Sequence, residues 1–84
     1  MARYFFDIDD GDLFTQDEAG VELPSAEQAR AQAVSVLPEI AREVLRAESE
    51  GCEFVVRVRD ASGTEVYRAR LSFRGEWAVP AGAA

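Results

Sequence analysis

The densest run of side chains capable of chemistry lies near the start of the chain. Asp7-Ile8-Asp9-Asp10-Gly11-Asp12 sets four carboxylates around one glycine, and Glu18 falls at position twelve when Asp7 is counted as the first. That spacing suggests a calcium loop, but the glycine comes one place too early and no helix precedes it. Aspartates around a glycine are also what a tight turn requires, so no metal site is expected. A carboxylate pair could serve acid–base catalysis, yet no nucleophile–base pair and no glycine-rich phosphate loop accompanies it. Histidine is absent from the 84 residues, which removes the commonest general base and the commonest zinc ligand together. Cys52 is the only cysteine and falls on the inward side of a predicted strand, where it reads as a core thiol. No catalytic residue, metal or cofactor is expected, and the chain reads as a non-enzyme.

The elements that position these residues follow from periodicity. Tyr4, Phe6 and Ile8 alternate with Phe5, Asp7 and Asp9, the period of a half-buried strand. Asp10-Gly11 then predicts a two-residue hairpin loop, because a type I′ turn needs positive φ at both central positions. In that register Ile8 faces Leu13 and Asp7 faces Phe14, which leaves Phe14 on the outer face near Phe5. Asp17-Glu18-Ala19-Gly20 reads as a second turn, and Val21-Glu22-Leu23 as a short extended piece ended by Pro24. Ser25 is a good N-cap, Gln28 completes a capping box, and Glu27 suits the helix dipole. Ala29, Ala33, Val36, Ile40, Val44 and Ala47 step by threes and fours, with Leu37 and Leu45 widening the stripe. One helix is predicted from about Ala26 to Ser49, bent at Pro38 and ended by Gly51 as a C-terminal cap.

The last third predicts a second hairpin. Cys52, Phe54, Val56 and Val58 alternate with Glu53, Val55, Arg57 and Arg59; Tyr67, Ala69, Leu71 and Phe73 alternate with Val66, Arg68, Arg70 and Ser72. Inward residues must meet inward residues, so Val58 pairs with Tyr67 and Val56 with Ala69. The fold expected is α+β: an antiparallel or mixed sheet of four to five strands with one long helix on one face, in the order ββ(β)αββ. Its core is expected to contain Tyr4, Phe6, Ile8, Val36, Leu37, Ile40, Val44, Phe54, Val56, Tyr67, Leu71 and Phe73. Residues 1–79 form the single domain, and residues 80–84 a disordered tail.

Composition narrows the function classes. With 48% hydrophobic and 30% charged residues the chain is not a disordered tail. Nine basic residues, all arginine, against sixteen acidic ones give −7, which argues against binding nucleic acid with the whole surface. Met1-Ala2-Arg3 leads into an aromatic triplet broken by Asp7, unlike an export signal. No run approaches the roughly 20 apolar residues that cross a bilayer. A lone thiol permits no internal disulfide and suits a reducing compartment, so the expected location is the cytoplasm.

The order Arg3-Tyr4-Phe5-Phe6, Asp10-Gly11, Asp17-Glu18-Ala19-Gly20-Val21-Glu22-Leu23, then Ala26 and Ala29-Arg30-Ala31 with Ala33, resembles a family of small uncharacterised proteins of the alphaproteobacterial, rhizobial type. The resemblance covers about the first half of the chain and brings no activity or functional residue with it. The succession strand, Asp-Gly hairpin, strand, short segment, alanine-rich helix is also similar to the small domain of HicB-type antitoxins.

One helix covers one side of a sheet. The other side should carry Phe5, Phe14, Val55 and Val66 beside Arg57, Arg59, Arg68 and Arg70, with Arg57 directly opposite Arg68. Residues 54–84 hold five arginines against three acids, and residues 1–53 four against thirteen. Aromatics with arginine are the composition of interface hot spots. These eight residues are the expected partner-binding site of a small acidic interaction module, taking a protein partner or a second copy of itself as a homodimer. The alternatives are a nucleic-acid or anion binder using the same face, and an acidic polyanion mimic acting as an inhibitor or antitoxin-like regulator. A ladder of surface ion pairs with Asp7 and Asp9 is the bland reading of the same arginines.

Overall fold

A computed structural model describes residues 1–47 and 49–79, so the tail expected at 80–84 lies outside the described residues. The elements run β1 (Ala2–Asp9), β2 (Phe14–Thr15), β3 (Val21–Leu23), α1 (Ala26–Val44), β4 (Gly51–Arg59) and β5 (Glu65–Arg74). All pairings are antiparallel, in the order β2-β1-β4-β5, with β3 joined to β1 beside β2. The α+β architecture expected from the sequence is therefore present: a five-stranded sheet with one helix packed on it.

The hairpin of β4 and β5 has the predicted register, with Val58 opposite Tyr67 and Val56 opposite Ala69. The first hairpin does not. Asp9 pairs with Phe14 and Ile8 with Thr15, which opens the loop to four residues, Asp10 to Leu13. Aspartate chemistry explains the wider loop. The Asp10 carboxylate accepts from the N–H groups of Asp12 (3.0 Å) and Leu13 (2.8 Å), and the Asp9 carboxylate accepts from Gly11 (2.9 Å). A two-residue turn would forgo these bonds. Because the slip is by two residues, Phe14 keeps its outward face but moves level with Asp9, away from Phe5.

Ser25 caps α1 as expected, its hydroxyl accepting from Gln28 N–H at 3.3 Å. The helix passes through Pro38 without a break, and both Pro38 and Val34 lie on its exposed side, where an unbonded carbonyl can reach water. It stops earlier than predicted. Leu45 turns extended, and Arg46 N–H finds the Ser49 hydroxyl at 3.1 Å, so the chain reverses and Gly51 opens β4 instead of capping the helix.

The core is built from Tyr4, Ala29, Ala33, Leu37, Phe54, Val56, Val58 and Ala69, with Phe6, Ile8, Val36, Ile40, Val44 and Tyr67 packed around it. Ala29 and Ala33 are fully buried and, with Leu37, sit four apart, so the helix approaches the sheet on its smallest side chains. Leu71 and Phe73, expected in this core, remain 38% and 36% exposed on β5, the edge strand of the sheet.

Candidate interaction face

The sheet face opposite α1 is built from the outward residues of β1, β4 and β5. Three rows cross it: Phe5 beside Arg59 beside Glu65; Asp7 beside Arg57 beside Arg68; and Asp9 beside Val55 beside Arg70, with Phe14 on the far side of Asp9. A register shift beyond Val58 takes Val66 out of the ladder.

One corner is closed. Asp7 is only 5% exposed and receives two hydrogen bonds from Arg59, through Nε and through Nη2 (3.0 Å). The same guanidinium donates to the backbone carbonyl of Asp17 (3.0 Å), and Asp17 N–H donates to Asp7 (2.9 Å). Asp17 in turn accepts from Phe6 N–H (3.0 Å), and from the N–H groups of Ala19 and Gly20 (3.1 Å each). The loop between β2 and β3 is thereby pinned over the face. Gly20 at φ +70° lies so close to the Phe5 ring that a Cβ there would come within 2.8 Å, and Arg59 stacks on that ring at 5.0 Å. The Arg59 hydrogen bonds hold the Asp7 carboxyl below its usual range despite burial. Burial pushes the Asp17 carboxyl up, but its backbone donors outweigh that and hold it low.

The rest of the face is open. Side chains of Arg57, Arg68 and Arg70 are about a third to a half exposed, at 33%, 39% and 52%. Glu65 serves two of them, at 2.8 Å from Arg68 and 3.9 Å from Arg57, and Glu53 lies 3.6 Å from Arg70. The Arg68 hydrogen bond holds Glu65 below its usual range.

The eight residues expected on this face are thus only partly brought together. Arg57, Arg59, Arg68 and Arg70 do form one stripe. The apolar members do not form an open patch: Val55 is buried at 6%, Phe5 is half-buried under the loop, and Phe14 and Val66 are exposed at opposite ends. Asp17 was legible only as a turn residue, although an Asp three places before a glycine is a fair sign of a carboxylate bonding its own turn. Among the described residues no group of three or more carboxylates or cysteines is placed to share an ion, and no helix is long and apolar enough to cross a membrane.

No curated protein and no solved structure matches the chain. A family model described as a domain of unknown function, DUF6894, matches residues 3–72, which takes in α1 and all but the outermost residues of the sheet. By that match the chain belongs to the DUF6894 family.

Proposed function

We propose that this protein is a small acidic, non-enzymatic interaction module that binds a protein partner, or a second copy of itself, through the sheet face left uncovered by α1. The observation that carries the reading is the direct pairing of Arg57 with Arg68 at the centre of that face, with Glu65 shared between them. Like charges placed opposite one another destabilise a sheet. Two guanidinium groups offer ten N–H donors, and one carboxylate answers few of them. Carboxylates from a partner would complete the arrangement with bidentate, charge-assisted bonds. The non-enzymatic part of the reading is supported by the lack of histidine and by the commitment of the buried carboxylate Asp7 to Arg59. The cytoplasm is the compartment this reading assumes, given a single free thiol.

Sedimentation of the wild type against Arg57→Glu/Arg68→Glu tests the self-associating version. A wild-type dimer that the substitutions convert to a folded monomer supports it, and a wild-type monomer at high concentration rules it out. Binding of a nucleic acid by the same stripe would instead weaken steeply with salt.

A further inference from the structure

We infer that the free edge of β5 accepts an extended segment of another protein as an added strand, one in which carboxylate and apolar side chains alternate. The two edges of the sheet differ. On one side β2 has two residues, β3 has three, and the gap between them is filled by the Asp17 carboxylate bonding Phe6 N–H. On the other, β5 runs ten residues, its irregularity confined to the end near Glu65, and among the described residues it pairs with β4 alone. A long regular edge of unpaired N–H and C=O groups is a template for another strand.

Side chains specify that strand. Arg68, Arg70 and Arg74 share one face of β5; Tyr67, Leu71 and Phe73 share the other, with Leu71 and Phe73 exposed. An incoming strand would match them with carboxylates on one face and apolar residues on the other, since directly opposed residues share a face. A second copy of β5 fits badly. In every antiparallel register that keeps the faces matched and pairs six or more residues, at least one arginine of one copy lies opposite an arginine of the other. The occupant is therefore a different, acidic segment. This deepens the reading above, because Arg68 and Arg70 belong to both surfaces.

The probe is a fluorescein-labelled ten-residue peptide of alternating valine and glutamate. Its controls are a lysine-for-glutamate version and a version N-methylated at two adjacent central residues, which blocks both strand edges and leaves the side chains intact. Because the protein carries −7, general electrostatics oppose the acidic peptide. Anisotropy titration should show the acidic peptide binding. It should show at least tenfold weaker binding for the N-methylated peptide, and weaker binding for the lysine peptide even though general electrostatics favour it. Arg68→Glu/Arg70→Glu, checked as folded by its thermal transition, should lose at least tenfold. Amide exchange along β5 should slow when the acidic peptide is added. Equal binding of the N-methylated peptide would overturn the edge and leave the face reading standing; no binding of the acidic peptide would also overturn the edge.

Discussion

At the residue scale, Asp7 is the organising side chain. It is a carboxylate almost out of contact with water, and it is tolerated there because Arg59 and the Asp17 N–H satisfy it. Asp7→Asn keeps the shape but places a neutral amide against the guanidinium; it is expected to cost about 2–3 kcal/mol in urea unfolding. The pH dependence has a definite sign. Asp7 and Asp17 have folded values below the ordinary 3.8, so the unfolded chain takes up their protons first as pH falls. Their stabilisation is complete above the unfolded value and is lost as pH drops through the lower folded values. The urea midpoint should therefore be flat with respect to these groups above about pH 5 and fall below about pH 4. Asp7→Asn should flatten that fall; an unchanged slope would show that Asp7 is not its source. Gly20→Ala tests the loop above Phe5, since it meets both a positive φ and a Cβ contact of 2.8 Å with the ring. A loss of about 1 kcal/mol or more is expected, read as a lowered melting temperature.

At the element scale, Pro38 is a local choice against helix stability inside an otherwise well-capped helix. Pro38→Ala restores a backbone hydrogen bond on the exposed side and should raise stability by about 1–3 kcal/mol. Thermal unfolding measures it, and a drop would mean that the proline sets a curvature the core needs. Strand alternation, the cap at Ser25 and the register of the second hairpin were legible because each has a strict period or a specific hydrogen bond. The first hairpin loop was not. Asp-Gly signals a tight turn, but Asp9 and Asp10 both bond forward along the chain, and those bonds favour four residues over two. The end of α1 was hidden for a related reason: Leu45 and Ala47 continue the apolar stripe, while a single serine hydroxyl at Ser49 turns the chain back. Of the face, the arginine stripe and its like-charge centre could be read from alternation alone. The cover over Phe5 could not, because a loop read only as a turn folds onto the outer face and is anchored there by Asp17; nor could the burial of Val55, which alternation places on the outer face.

At the scale of the whole molecule, charge and cover are arranged against one another. The segment up to residue 53 holds thirteen acids against four arginines, yet the stripe of Arg57, Arg59, Arg68 and Arg70 comes entirely from the last two strands. The sheet face thus gathers four of the nine arginines, interleaved with Asp7, Asp9 and Glu65. We propose that this face, and no other surface of similar charge, contacts a partner. Capture from the native host's lysate tests it with three tagged proteins: the wild type, Arg57→Glu/Arg70→Glu on the sheet, and Arg30→Glu/Arg42→Glu on the exposed side of α1. The two variants change net charge equally, so any difference between them reports position. The expected result is a protein retained in stoichiometric amount, or an untagged copy of this chain, by the wild type and the helix variant but not by the sheet variant. Equal retention by all three, or no retained protein together with a monomeric mass, would rule this face out as a binding surface.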